Sequence, residues 1–140
     1  MLVYADNAAT TKMSRVAIEA MVPCFENVYG NPSSLHSVGQ EAKEYLEAAR
    51  ARVAGCLGCE PREIIFTSGG SEADNQAIIS AARYGERKGK KHIISTAFEH
   101  HAVLHTLEKL KKEGFDVTLL DVKDGHNVTA QQVADAIRED

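Results

Sequence analysis

The sequence predicts an α/β protein with a mainly parallel sheet and flanking helices, because strand-like and helix-like runs alternate along its second half. Three apolar runs are typical of strands, at residues 63–67, 92–95 and 115–120. Amphipathic helices are predicted between them, over residues 72–86 and 101–112. Alternation of this kind indicates helices packed on the faces of one sheet.

The rest of the chain is predicted to be helical with short loops. Apolar residues fall at helical spacing over 13–25, where Pro23 should kink the helix or end it early. A turn-rich loop at 30–34 and a longer amphipathic helix over 38–53 follow. Three local signals complete the pattern, namely Gly114 closing the 101–112 helix, a turn at Asp124-Gly125, and Thr129 capping a last helix.

Composition describes an ordinary globular chain of one domain's length. The 140 residues are 44% apolar and 26% charged, with a formal charge of −4 that opposes nonspecific nucleic-acid binding. No apolar run approaches the roughly 20 residues that span a bilayer. The first residues lack a secretory signal and the cysteine count is odd, so we expect free thiols and a cytoplasmic location. Within one segment, we expect an arm and helices over 1–60 and the start of an α/β domain over 61–140.

The most informative local signal is the turn after the first strand-like run. Residues 67–71 read Thr-Ser-Gly-Gly-Ser and lead directly into a predicted helix, whose first N–H groups lack intrahelical acceptors. Gly69 and Gly70 permit close approach of an oxyanion, and Ser71 can add a hydroxyl or cap the helix. Neither the dinucleotide nor the P-loop glycine pattern is present. The turn therefore predicts either another kind of anion site or a simple helix cap.

A second polar cluster, residues 99–105, follows the 92–95 strand. His101 and His105 stand four apart and could share a metal, but the sequence offers no third ligand, so surface histidines are favoured and no metal is assigned. His100 lies at the carboxyl edge of the strand, where ligands of parallel sheets bind. Its imidazole could stack on a planar heterocycle or move a proton near neutral pH.

The Cys56-Leu57-Gly58-Cys59 sequence has the spacing of a zinc or redox pair. Zinc would need a second pair, and only Cys24 remains. A redox pair belongs at a helix N-terminus, whereas this one falls at a predicted helix C-terminus, where the dipole opposes a thiolate. We interpret these cysteines as structural.

Four ordered motifs together resemble the NifS/IscS-type cysteine desulfurases. They are Tyr4-Ala5-Asp6-Asn7-Ala8-Ala9-Thr10-Thr11, Gly30-Asn31-Pro32-Ser33-Ser34-Leu35-His36-Ser37-Val38-Gly39, the turn at 68–75, and Glu99-His100-His101-Ala102-Val103-Leu104. The resemblance implies a class V aminotransferase of fold type I that binds pyridoxal 5'-phosphate and works as a homodimer. It also implies conversion of L-cysteine to L-alanine, with sulfur passed as a persulfide to an acceptor or scaffold protein of iron–sulfur cluster or tRNA thiolation pathways.

The same resemblance assigns site residues by matching motif. Gly70 and Ser71 would hold the cofactor phosphate, and His100 would stack on the pyridine ring and move a proton during C–S cleavage. Asn7, Ala8 and His36 would border the substrate, although a plain loop hydrogen bond explains His36 equally well. No role is assigned to His105, because relatives often carry an acidic residue there.

The resemblance covers only the first third or so of a family member. The Schiff-base lysine and the persulfide cysteine would lie beyond this sequence, so we expect an N-terminal fragment that is inactive alone. In fold type I the 63–67 strand does not neighbour the strands at 92–95 and 115–120, so its backbone would lack partners here. Alternatives are another class V reaction, either a selenocysteine lyase or an aminotransferase, and a non-catalytic phosphate-binding or dimerisation fragment.

Overall fold

A computed structural model describes residues 2–122, 125 and 127–139. The chain divides into two compact units, Met1–Ile65 and Phe66–Asp140. In order, the elements are α1 (Arg15–Glu26), α2 (Ser37–Leu57), a 3₁₀ turn (Pro61–Glu63), α3 (Gly70–Glu86), β1 (His92–Thr96), α4 (His101–Lys112), β2 (Asp116–Leu120) and α5 (Ala130–Ala136). Over the described residues, no helix has both the length and the apolar character that a membrane span requires.

The first helix, α1, begins where the sequence predicts it. Ser14 caps the helix, its hydroxyl oxygen accepting the N–H of Ala17 at 3.2 Å. The helix continues through Pro23 and ends at Glu26, so the early end at Pro23 does not occur. Proline removes only the donor that the Glu19 carbonyl would use, and Glu19 is exposed, so water can satisfy that carbonyl.

The loop at 30–34 and the second helix are also confirmed. The loop closes on itself through Ser34 N–H, which donates to the Asn31 carbonyl at 2.9 Å. The side chain of Gln40, in the first turn of α2, then donates to the Ser34 carbonyl at 2.7 Å. Gly58, with φ 69°, ends α2 in the left-handed conformation that glycine adopts most readily.

The second unit contains a β-α-β arrangement. β1 and β2 pair in parallel, with register partners from His92 with Asp116 to Thr96 with Leu120, and α4 connects them. Leu110, which is completely buried, packs with Phe115 and Ala82 at the centre of the core. The alternation of strands and helices therefore predicted the fold class correctly, and Gly114, with φ 92°, follows α4 as expected.

The strand predicted at 63–67 is wrong. Residues 61–63 form the 3₁₀ turn and residues 64–67 have no regular structure. A strand needs hydrogen-bonding neighbours, and the described sheet consists of β1 and β2 alone. The expectation that this run does not pair with the two later strands agrees with that arrangement. The division at residue 60 into an arm and an α/β domain stays a prediction.

At the end of the second unit, Thr129 caps α5 as predicted. Its hydroxyl oxygen accepts the N–H of Gln132 at 3.2 Å, and the Gln132 side chain accepts the N–H of Thr129 at 2.9 Å. Of the predicted turn, Gly125 has φ 70°, while Asp124 lies outside the described residues.

Candidate functional site

The first turn of α3 is open to a ligand. No acceptor among the described residues lies within hydrogen-bond reach of the N–H groups of Gly70 and Ser71. A Cβ added at Gly69 or Gly70 would meet no atom within 4 Å. Free donors, the positive end of the helix dipole and open space beside the backbone together suit an oxyanion such as a phosphate.

The residues just before this turn are held by Glu72. Its carboxylate accepts the hydroxyl of Ser68 at 2.6 Å and the Ser68 N–H at 2.7 Å. These bonds, the hydroxyl bond first, hold the pKa of Glu72 below its ordinary value. In addition, the Thr67 hydroxyl donates to the Gly69 carbonyl at 3.1 Å. The backbone leading into α3 is therefore fixed by side chains on both sides of the turn.

His100 is the N-cap of α4. Its Nδ1 accepts the N–H of Ala102 at 3.1 Å, so this nitrogen carries a lone pair and not a hydrogen. In the neutral ring the hydrogen then resides on Nε2, which is the atom left for a ligand. His100 is exposed, so a ligand in solution can reach it.

An open cleft of about 450 Å³ brings Ser71 and His100 together. Its volume lies in the range of about 300–1,000 Å³ typical of small-molecule sites. The cleft is lined by Ser71, Asn75, His100, His101, Ala102, His105, Thr106 and Lys109. All of these residues belong to the second unit, and Gly70 directly precedes one of them in the chain.

The other predicted site residues belong to the first unit. Asn7 and Ala8 lie in an exposed turn that the N–H of Ala9 closes by donating to the Asp6 carbonyl at 3.2 Å. His36 caps α2, its Nδ1 accepting the N–H of Gly39 at 3.3 Å. This is the loop hydrogen bond that the plain interpretation of His36 predicts. Their role beside a substrate stays a prediction.

The remaining chemical candidates are the cysteines and two histidines, His101 and His105, that also line the cleft. The rings of His101 and His105 stack with centroids 5.5 Å apart. Among the described residues, no group of three or more His, Cys, Asp or Glu side chains could hold a metal ion. Cys56 and Cys59 are free thiols at the C-terminal end of α2.

Four residues that line the cleft were not singled out from the sequence as candidate site residues, namely Asn75, Ala102, Thr106 and Lys109. Thr106 is almost completely buried, and its hydroxyl lies 2.5 Å from Oδ1 of Asn75. The sequence does contain a signal for Thr106, because this polar residue falls on the apolar face of α4 beside Leu107 and Leu110. A polar residue on a buried helix face needs a hydrogen-bonding partner, and that partner is worth seeking.

The fold and the cleft define an α/β protein in which a free helix N-terminus and an imidazole lie beside one open cleft. More specifically, the chain belongs to the aminotransferase class-V family, whose model matches residues 3–140. The match covers nearly the whole sequence, so both units are part of the family's pattern.

Similar proteins include several cysteine desulfurases. The chain is 50% identical to the Bacillus subtilis (strain 168) protein named "Putative cysteine desulfurase IscS 1", over 99% of this chain and 36% of that protein. It is 46% identical to the cysteine desulfurase IscS of Methanosarcina thermophila, over 99% of this chain and 34% of that protein. The chain thus spans about a third of the length of these relatives.

Two solved structures have the same fold. A NifS-like protein superposes with a TM-score of 0.88 at 38% identity, over 100% of this chain and 38% of the other. A structure named SspA in complex with cysteine superposes with a TM-score of 0.81 at 39% identity, over 94% of this chain and 38% of the other. Both superpositions extend over more than nine-tenths of this chain, in agreement with the family match.

Proposed function

We propose that this chain is the N-terminal part of a pyridoxal 5'-phosphate-dependent cysteine desulfurase. The reaction would convert L-cysteine to L-alanine and pass the sulfur on as an enzyme persulfide. The observation that carries the proposal is the cleft in which the free N-terminus of α3 and the ring of His100 lie together. Relatives named cysteine desulfurase support it, as does a neighbouring structure that contains cysteine.

The cofactor phosphate fits the first turn of α3. The N–H groups of Gly70 and Ser71 donate to its oxygens, and the Ser71 hydroxyl supplies a further donor beside the cleft. The space beside Gly69 and Gly70 leaves room for the approaching oxygens. When bound, pyridoxal phosphate supplies an electron-withdrawing ring that stabilises charge developing on the substrate.

His100 covers the ring and holds the transferable proton at Nε2. Because Nδ1 is engaged by the N–H of Ala102, the imidazole keeps one orientation and presents Nε2–H to the ligand. From this atom the ring could give a proton to the carbon that keeps the bonding electrons when the C–S bond breaks, while the sulfur bonds to the enzyme cysteine. We assign the substrate side to Asn7, Ala8 and His36, following the motif match.

Other parts of the proposal concern the whole protein. The remainder of a family member would supply the lysine that binds the cofactor covalently and the cysteine that receives the sulfur. We therefore expect no desulfurase activity from these 140 residues alone. A homodimer, a sulfur-acceptor or scaffold protein and a cytoplasmic location complete the proposal.

Phosphate recognition is tested by titrating the isotope-labelled chain with pyridoxal 5'-phosphate and, separately, with pyridoxal, which lacks the phosphate. We expect the amide resonances of Gly70 and Ser71 to shift with the phosphorylated compound and much less with pyridoxal. Ser71→Ala should weaken binding, while Ser80→Ala, in the second half of the same helix, should not. Equal responses to both compounds would contradict the phosphate assignment.

The catalytic assignment is tested in a chimera. This chain replaces the matching residues of the Methanosarcina thermophila enzyme, and alanine formation from L-cysteine is measured. We expect an active chimera in which His100→Ala lowers turnover by about 100-fold or more, the usual size of a lost acid–base group. His101→Ala and His105→Ala should lower it far less. Equal losses from all three substitutions would argue against a special role for His100.

A further inference from the structure

A polar cluster joins the N-terminal halves of α3 and α4. Thr106 is 3% exposed, and its hydroxyl lies 2.5 Å from Oδ1 of Asn75 and 2.8 Å from the carbonyl of Ala102. A hydroxyl has one hydrogen, so it donates to one of these two acceptors at a time. When it donates to Asn75, Thr106 links α4 to a side chain of α3.

The amide of Asn75 extends the connection in both directions. Its Nδ2 donates to the carbonyl of Ser71 at 2.6 Å and to the carbonyl of Ala102 at 3.4 Å. The N–H of Ala102 in turn donates to Nδ1 of His100. A continuous hydrogen-bonded path thus runs from Ser71, through Asn75 and Ala102, to the imidazole.

We propose that Asn75 and Thr106 are positioning residues that fix the spacing between the phosphate-binding turn and the ring of His100. The inference rests on the proposed function, because the spacing matters only for a ligand that touches both places. Two helices packed by apolar contacts alone can shift along each other by fractions of an ångström. Directional hydrogen bonds in the N-terminal half of each helix restrict that sliding beside the cleft.

The placement of Thr106 favours this role over simple packing. Valine has nearly the same shape and would occupy a buried helix position without needing a partner. The hydrogen bond between Thr106 and Asn75 has a preferred geometry, whereas the apolar contacts around it do not. Asn75 also makes directional bonds, since its amide donates to one carbonyl on α3 and one on α4.

The test compares two ligands in Thr106→Val. Inorganic phosphate touches only the turn, whereas pyridoxal 5'-phosphate spans the turn and the ring. We expect the dissociation constant of inorganic phosphate to change less than about twofold, and that of pyridoxal 5'-phosphate to rise about five- to tenfold, the effect of about one lost hydrogen bond. Thr106→Ser keeps the hydroxyl and should restore binding.

The matched control is Thr118→Val. Thr118 is bonded to His92 at 2.7 Å, within the same unit but outside the cleft, and its substitution should change neither constant. If both ligands weaken equally in Thr106→Val, or neither does, the positioning role is overturned. If the unaltered chain binds neither ligand at Gly70 and Ser71, the proposed function fails and this inference fails with it.

A measurement on the unaltered chain covers the case in which Thr106→Val does not fold. The side-chain amide protons of Asn75 should exchange with water at least about tenfold more slowly than those of exposed Asn27, because they donate to the carbonyls of Ser71 and Ala102. Addition of pyridoxal 5'-phosphate should slow them further. Equal exchange at the two asparagines would show that the connection does not exist in solution, and would overturn the inference.

Discussion

A Cβ added at Gly39 would lie 2.6 Å from the Cβ of Ser34, closer than real Cβ atoms approach one another. It would also lie 2.7 Å from the carbonyl oxygen of Asn31. The loop before α2 therefore lies directly on the first turn of that helix, and a glycine is required at the point of contact.

Gly39→Ala should destabilise the chain by about 1–3 kcal/mol, because the loop must move away from the helix. Gly55→Ala is the matched control within α2, where an added Cβ meets no atom within 4 Å. This second change should stabilise the chain by about 0.5–1 kcal/mol, since alanine is the better helix former. Urea unfolding followed by circular dichroism measures both. Similar effects of the two substitutions would show that the close contact is absent in solution.

His36→Ala should cost about 1 kcal/mol of stability, because the N–H of Gly39 loses the imidazole that caps α2 and keeps only the His36 carbonyl as acceptor. His36→Asn should recover most of that loss, as asparagine is among the best capping residues. The same unfolding experiment reports both values. If asparagine fails to rescue the stability, the cap does not explain His36 and a role beside a substrate gains support.

Leu110→Ala should destabilise the second unit by about 2–5 kcal/mol, the range for a leucine deleted from a closed core. Leu110 is 0% exposed and packs with Phe115 and Ala82. Leu119→Ala is the comparison, since Leu119 on β2 is 42% exposed and should cost about 1 kcal/mol or less. Hydrogen exchange of the β1 and β2 amides measures the change in this unit. A small loss of stability in Leu110→Ala would show that Leu110 is not at the centre of the core.

Acid should weaken the turn before α3. The pKa of Glu72 lies below its ordinary value of 4.5 because the Ser68 hydroxyl, and then the Ser68 N–H, donate to its carboxylate. With the folded-state pKa depressed, these bonds stabilise the fold fully above the unfolded-state value and lose that effect as the pH falls through the folded-state pKa. The stability difference between the wild-type chain and Glu72→Gln should therefore be constant near neutral pH and shrink below pH 4.5.

Ser68→Ala provides the control for this acid dependence, because it removes the stronger donor while leaving Glu72 in place. In the Ser68→Ala background, the stability difference caused by Glu72→Gln should be smaller and should vary less with pH. Melting temperatures measured across the acid range give all four curves. Identical pH profiles in both backgrounds would contradict the assignment to Ser68.

Elements that depend on local sequence were predicted well. The helix predicted at 101–112 matches α4, and the strand predicted at 92–95 differs from β1 by one residue. Caps such as Thr129 carry their own signal, because the capping side chain and the amide it bonds lie three residues apart. The 63–67 run failed for the opposite reason. Its apolar character signals burial in a sheet, but a strand forms only where a neighbouring strand offers its backbone.

The candidate site divides along the same line. Ser71 and His100 were each expected at the carboxyl end of a strand, but the strand before Ser71 does not form, so this argument holds for His100 alone. Asn75 and Thr106 are 31 positions apart, and the local sequence around either residue does not predict contact with the other. Their contact is fixed by how α3 lies on α4, which depends on packing rather than on periodicity.

The parallel pairing of β1 with β2 also bears on the order in which the chain folds. Each register pair, such as His92 with Asp116, is joined by the same short crossover through α4, so a single loop closure brings every pair together. We expect the β1-α4-β2 segment to become ordered early. His100, at the start of α4, would then be in place before the turn at Gly69 and Gly70 packs beside it.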